Sequence, residues 1–331
     1  MTRVLVTGAS GMLGRGVAER LVADGHDVRT LQRSPSRVAG VQDVAGSVTD
    51  PDTVRSAVRD REAVVHLAAK VTITGPFAQF EEVNVGGTRL LLDEARAAGV
   101  GPFVHVSSPS VAHQGRSLTG AGAGPADPEH ARGHYARTKA AAELLALAAH
   151  EPDGLRVIVV RPHVVWGPGD TQLVGRIVDR ARAGRLPVLG DGAALIDTTY
   201  IDNAVDALVA ALHADAAVYG EPYVVTNGEP RPVVELLAGI CAASGVPMPR
   251  RHVPAVLARG AGSLLDAAWR TLPLPGEPPL TRFVAEQLST AHWFDQRRTR
   301  EALGWTPRVG LDEGLARLAT WTARQASATA P

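Results

Sequence analysis

The chain predicts an α/β fold, a doubly wound parallel sheet with helices on both faces and a smaller C-terminal α/β lobe. Three observations carry that expectation. Short apolar runs at 3–7, 63–67, 102–106 and 155–160 read as buried strands. In the N-terminal half such runs alternate with helical patterns, which is how βαβ units and parallel sheets are written. A length of 331 residues suits one large α/β domain or two lobes sharing a cleft. The expected division is 1–165 and 166–331, with segments of about 195–226 returning to the first sheet.

Composition narrows the class. The 34 basic and 34 acidic residues balance, leaving no electrostatic footprint for nucleic acid. Cys241 is the single cysteine, so no intramolecular disulfide can form and a reducing compartment is expected. Met1–Thr7 runs straight into a strand pattern, which leaves no room for a signal peptide. No apolar run approaches the roughly 18 residues of a membrane span, and a cytoplasmic location is expected.

The first strand, Arg3–Thr7, meets Gly8-Ala-Ser-Gly11-Met-Leu-Gly14, then a helical pattern to about Ala23 and a second strand at Asp27–Leu31. That context turns a glycine pattern into a dinucleotide-binding hypothesis. Gly8 allows the tight turn, Gly11 lets backbone approach a pyrophosphate, and Gly14 lets the helix pack closely on the strand. Ser10, Met12 and Leu13 complete the turn. Glycines in an ordinary βα turn are the competing reading. The second strand ends in Gln32-Arg33-Ser34, where NAD-preferring enzymes place an acid on the ribose 2′-hydroxyl. With no carboxylate to repel a 2′-phosphate and Arg33 to pair with it, NADP(H) is favoured over NAD(H). Arg33 as a solvated loop charge competes with that assignment.

Only two lysines occur, Lys70 and Lys139, and the second follows a tyrosine in Tyr135-Ala-Arg-Thr-Lys139. Four residues apart on a helix, from about His134 to Ala149, they share one face. An ammonium there can lower the phenol's pKa from about 10, so that it exchanges a proton with a carbonyl or alcohol. A surface helix bearing an unrelated Tyr and Lys is the bland reading.

The shifted spacing G-x-x-G-x-x-G resembles the extended branch of the short-chain dehydrogenase/reductase superfamily, with its Rossmann-type sheet. Further segments carry the likeness. Ala63-Val-Val-His-Leu67 with Ala68-Ala69 resembles the family's segment lining the cofactor ribose, and His66 reads as a packed strand histidine. Asn84-Val-Gly-Gly-Thr88 is similar to the family's Asn-Val-x-Gly-Thr at a helix start. Asn84 would support the active site, a helix cap being the alternative. Strand Pro102–Val106 ends in Ser107-Ser108-Pro-Ser-Val111. The resemblance implies that Ser108 bonds the substrate oxygen, with Ser107 and Ser110 as fallbacks. Arg161-Pro162-His163-Val164-Val165-Trp-Gly-Pro-Gly169 resembles the segment whose backbone contacts the nicotinamide amide. Two positions depart from the pattern. Gly46-Ser47 stands where Gly-Asp meets adenine, and Val164 stands where sugar-nucleotide enzymes often carry a substrate-binding Asn.

Between Ser108 and Tyr135, the stretch Gly115–Gly133 reads as an irregular, mobile cover over the cleft. Its His130 and the following His134, four apart, lack a third ligand, so no metal is expected. Beyond it, 204–214 and 233–244 read as helices, with Val218–Thr226 a strand between them. Pro254 to about residue 272 is apolar with scattered arginines and suits an interfacial helix touching a membrane or a pathway enzyme, or an ordinary core helix. Ala302–Pro307 resembles the ending common to the extended branch, and Asp197–Asn203 looks like a segment of 3β-hydroxysteroid-dehydrogenase-like members. Gly276–Phe283 and Thr290–Phe294, taken with Trp166–Leu173 and Asp197–Asn203, look most like the 2-alkyl-3-oxoalkanoate reductases of bacterial head-to-head olefin biosynthesis. The resemblance implies NADPH-dependent reduction of a long-chain 2-alkyl-3-keto acid, an apolar small molecule, by Ser108, Tyr135, Lys139 and Asn84. It also implies a homodimer. Rival readings are a 3β-hydroxysteroid dehydrogenase, a nucleotide-sugar epimerase and a non-catalytic cofactor-sensing protein.

Overall fold

The computed structural model describes residues 1–72, 75–113, 115–271 and 278–328, apart from the side chain of Arg270. Seven strands form the central sheet: β1 (Arg3–Thr7), β2 (Asp27–Gln32), β3 (Gln42–Ala45), β4 (Ala63–His66), β5 (Pro102–Val106), β6 (Arg156–Pro162) and β7 (Pro222–Val225). Their order is β7-β6-β5-β4-β1-β2-β3 and every pairing is parallel. The order reverses between β1 and β4, and in such sheets ligands bind beyond the carboxyl ends of the strands at that crevice.

Period-two alternation splits the strand side chains between two cores. Val4 and Val6 of β1 join the larger cluster, together with Val17 and Leu21 of helix α1 (Met12–Ala23). Leu5 points the other way and packs with Val54 of α2 (Pro51–Val58), Leu91 and Leu92 of α3 (Gly87–Ala97), and Ala146 of α4 (Gly133–Ala148). On the α1 face lies α5 (Ile201–Leu212), which begins three residues before the expected 204. The helix expected at 233–244 runs Val233–Ala243. The strand expected at 218–226 is shorter, because Ala216–Val218 closes a 3₁₀ turn before Pro222.

A second sheet belongs to the C-terminal half and corrects one expectation. Leu118–Ala121, inside the stretch read as an irregular loop, is a strand paired in parallel with His292–Phe294. Its partner lies some 170 residues away in the chain, so no local pattern could announce it. Leu195–Ile196 and Arg231–Pro232 complete that sheet.

The apolar segment from Pro254 forms α6 (Ala255–Thr271), seated on a small separate core of Leu189, Ala258 and Ala285. Val256, Leu257 and Leu264 stand exposed at 77, 64 and 74 %. Residue 272 at the end of that stretch, and Gly276–Glu277 of the following motif, lie outside the described residues. No described helix is long and apolar enough to cross a membrane.

Candidate active site

The glycine turn after β1 is built by backbone constraint. Gly8 adopts φ +77°, and a Cβ there would sit 2.9 Å from the Ala68 amide nitrogen. A Cβ on Gly14 would collide with the Gly8 carbonyl oxygen. Gly11 differs: a Cβ would meet only the Gly8 oxygen, at an ordinary 3.5 Å. Packing within the protein therefore does not demand Gly11, and its missing side chain leaves the cleft side open. Gly11 caps α1 without a side-chain hydrogen bond, so the first amides of the helix, at Met12, Leu13 and Gly14, face the cleft unpaired. Free amides at the positive end of a helix dipole suit a pyrophosphate.

The Thr7 hydroxyl locks this turn to the end of β4. It accepts from the amides of Leu67 (3.1 Å) and Ala68 (3.0 Å), and its own proton goes to His66 Nδ1 at 2.8 Å. His66 Nε2 then donates to Thr88 Oγ1 at 3.0 Å, and Thr88 donates to the Asn84 carbonyl. His66 is thus a neutral, structural histidine, and burial holds its pKa down at about 3.

Asn84 is neither a helix cap nor at a regular helix start. It lies in a π-helical turn, Glu81–Gly86, that runs into α3. Its Oδ1 accepts from the Lys70 amide (2.7 Å), while Nδ2 donates to the Lys70 carbonyl (3.2 Å) and to Thr138 Oγ1 (3.0 Å). Asn84 is buried and does not line the cleft; it ties the segment after β4 to α4, one residue before Lys139.

One cleft of about 1240 Å³ gathers Gly8, Ser10, Gly11, Met12, Leu13, Gly14, Leu67, Ala69, Ser107, Ser108, Tyr135, Lys139, Pro162, Val164 and Val165. Ser108 caps the 3₁₀ turn Pro109–Ala112. Its Oγ accepts from Ser110 N (3.3 Å) and Ser110 Oγ (3.0 Å), which leaves its proton free to donate. Ser107 Oγ is buried and unpartnered among the described residues.

The expectation that Lys139 lowers the Tyr135 pKa is corrected here. Burial pushes the Tyr135 phenol up to about 12, opposed by a hydrogen bond with Ser108. The Lys139 ammonium is directed to the Val106 carbonyl (2.7 Å) and to His105 Nε2 (3.3 Å). Burial brings its own pKa down to about 8, with Glu143 one turn further opposing. Glu143 pairs with Arg161 of β6 through two hydrogen bonds, one of them 2.9 Å from Nε to Oε2, and neither side chain is exposed.

Other predicted residues lie elsewhere. Ala68 packs beneath Gly8. His163 faces the interior, where Nδ1 donates to the Asp197 carbonyl at 2.6 Å and the ring packs edge-on against Phe294. Val164, the next residue, lines the cleft at φ +46°, a strained conformation for a β-branched side chain. Arg33 and Ser34 are exposed past the end of β2 and do not line the cleft. Gln32 and Ser36 beside them are pinned by Asp43, at 2.9 and 3.1 Å. His130 bonds Asp127 at 2.8 Å, whereas His134 packs on Phe77 and Phe80, so the two do not converge. No group of three metal-ligating side chains occurs among the described residues. None of the described residues of 115–133 lines the cleft.

Sequence reasoning missed His105 and the Glu143–Arg161 pair. Glu143 was signalled by its place four residues after Lys139 on one helix face. His105 reaches Lys139 from strand to helix, and no spacing in the chain encodes that contact.

A parallel sheet with a glycine turn at its switch point, facing Ser, Tyr and Lys, defines an NAD(P)-dependent oxidoreductase. The chain belongs to the NAD dependent epimerase/dehydratase family, whose model matches residues 4–226. It is 41% identical over 324 residues to a 2-alkyl-3-oxoalkanoate reductase of Stenotrophomonas maltophilia, covering 96% of this chain and 98% of that one. It is 29% identical to a 3 beta-hydroxysteroid dehydrogenase/Delta 5-->4-isomerase of Mycobacterium tuberculosis, over 95% of this chain and 88% of the other. Among solved structures it resembles MoeE5 in complex with UDP-glucose and NAD, with a TM-score of 0.73, 26% identity, and 98% and 99% of the two chains covered.

Proposed function

We propose that this protein uses NADPH to reduce the 3-keto group of a long-chain 2-alkyl-3-keto acid, giving the 3-hydroxy acid. The observation that carries the reading is the convergence of Ser108, Tyr135 and Lys139 on the cleft that also holds the glycine turn. The more similar of the two relatives above is named a 2-alkyl-3-oxoalkanoate reductase. The open α1 N-terminus, Gly8, Gly11 and Gly14 fit the cofactor's pyrophosphate, and Arg33, exposed past the end of β2, is the group that would pair with a 2′-phosphate. When bound, the cofactor supplies the hydride that the carbonyl carbon accepts. Tyr135, protonated at neutral pH because burial raises its pKa, gives its phenolic proton to the carbonyl oxygen. The product is an alcohol, and one hydride and one proton have been consumed. The Ser108 proton, not used within the Ser108–Ser110 turn, steadies the developing oxyanion. Lys139, its ammonium held by the Val106 carbonyl and His105, would hold the nicotinamide ribose. Asn84 acts by fixing α4 rather than by touching substrate.

Residues 1–165 would carry the cofactor and 166–331 mainly the substrate. Operation in the cytoplasm as a homodimer, with the exposed apolar face of α6 meeting a membrane or pathway enzyme, completes the proposal. A 3β-hydroxysteroid is the rival substrate, favoured by the more distant relative. The test follows NADPH loss with a long-chain 2-alkyl-3-keto acid, a 3-ketosteroid and a UDP-sugar in parallel. Turnover of the keto acid, lost in Tyr135→Phe, is expected; turnover of the steroid alone overturns the assignment. Equal efficiency with NADH removes the role given to Arg33.

A further inference from the structure

His105 sits in the middle of β5 between apolar neighbours, fully buried, where an aliphatic residue would pack at no polar cost. Its Nε2 lies 3.3 Å from Lys139 Nζ. An ammonium has three protons and accepts nothing. The contact therefore requires Nε2 to be unprotonated and His105 to be a neutral imidazole with its proton on Nδ1. That Nδ1 is buried and without a partner among the described residues, so none of them but Lys139 uses this ring's polarity. The neighbouring His66, paired with His105 across β4 and β5 at a ring distance of 5.5 Å, cannot substitute, because Thr7 and Thr88 occupy both its nitrogens.

We propose that His105 is a positioning residue for Lys139: its neutral imidazole is the second fixed acceptor, after the Val106 carbonyl, and the two together direct the third ammonium proton into the cleft. The inference rests on the reading of Lys139 as part of the reductase site. The charged and titratable groups around Lys139 are His105 and His66 from the sheet, Tyr135 one turn before it, and Glu143 one turn after it. Glu143 is engaged by Arg161 and acts on Lys139 through charge alone. Among the described residues, only His105 and the Val106 carbonyl set the direction of its N–H bonds.

Two variants separate position from packing. His105→Phe keeps an aromatic ring and removes the acceptor; His105→Gln restores an acceptor. We expect kcat for the keto acid with NADPH to fall about tenfold in H105F, the scale of losing one hydrogen bond to a charged group. The alkaline limb of its pH profile moves to lower pH, because an ammonium that loses an acceptor deprotonates more easily. H105Q recovers most of both. Histidine ¹⁵N NMR, with the signal identified by its absence in H105Q, should show the neutral Nδ1–H tautomer across the working pH range. An Nε2–H tautomer or an imidazolium overturns the proposal, and decides the matter even where H105F does not fold. A folded H105F with wild-type kcat and pH profile overturns it as well. Tyr135→Phe and Lys139→Met are the reference: if they stay active the site reading itself fails, and if they are inactive beside an unaffected H105F, only this inference does.

Discussion

Replacing Lys139 with methionine removes a buried charge, and the structure determines how the consequence depends on pH. Burial pulls the Lys139 pKa from its ordinary 10.5 to about 8. In the unfolded chain the amine titrates at its ordinary value. Between those two values the unfolded state holds a proton that the folded state has lost, so stability rises with pH across the window. Below it both states are protonated, and the folded protein bears the whole cost of a desolvated ammonium, about 3 kcal/mol. Methionine carries no such cost. The stability of K139M relative to wild type should therefore fall by roughly 2–3 kcal/mol between about pH 7 and about pH 10. Losing the bonds to the Val106 carbonyl and His105 adds a nearly constant offset against methionine, so the slope and not the absolute difference is diagnostic. Urea unfolding of both proteins at the two pH values, followed by tryptophan fluorescence, measures it. A difference that stays flat, or moves the other way, refutes burial as the origin of the Lys139 shift.

The Glu143–Arg161 pair is fully buried; Glu143→Gln strands a guanidinium and should cost about 3–5 kcal/mol in urea unfolding at neutral pH, and an unchanged midpoint would mean that water reaches Arg161. Val164 holds φ +46°, a conformation asparagine tolerates, so Val164→Asn should stabilise by about 1 kcal/mol; a lower melting temperature by calorimetry would show that the isopropyl contacts outweigh the strain. Gly14→Ala drives a methyl into the Gly8 carbonyl and should weaken NADPH binding by at least about tenfold in a fluorescence titration. Unaltered affinity would show that α1 can retreat from β1 at no cost.

Where sequence reasoning worked, the information was local. Gly8, Gly11 and Gly14 lie within seven residues, and at Gly8 and Gly14 the backbone itself demands glycine. Tyr135 and Lys139 are four apart on a helix, so their shared face followed from helical geometry. The strands at 3–7, 63–66 and 102–106 were legible because burial on both faces leaves continuous apolar runs. Where it failed, the deciding partner was distant. The spacing around His163 gave no sign that its ring would turn inward to the Asp197 carbonyl and Phe294. The 115–133 stretch was read as irregular because Leu118–Ala121 finds its strand partner only at His292–Phe294.

The chain by itself determined the sheet class and marked the glycine turn and the Tyr135–Lys139 spacing, because those depend on periodicity and on contacts within one or two turns; Ser108 came only from the family resemblance. Only the tertiary structure decided their electrostatics. Spacing suggested that Lys139 lowers the Tyr135 pKa; packing instead raises the phenol and lowers the amine, and directs the ammonium to Val106 and His105. Desolvation depends on everything that surrounds a group, and most of what surrounds Tyr135 and Lys139 is contributed by residues far from them in sequence.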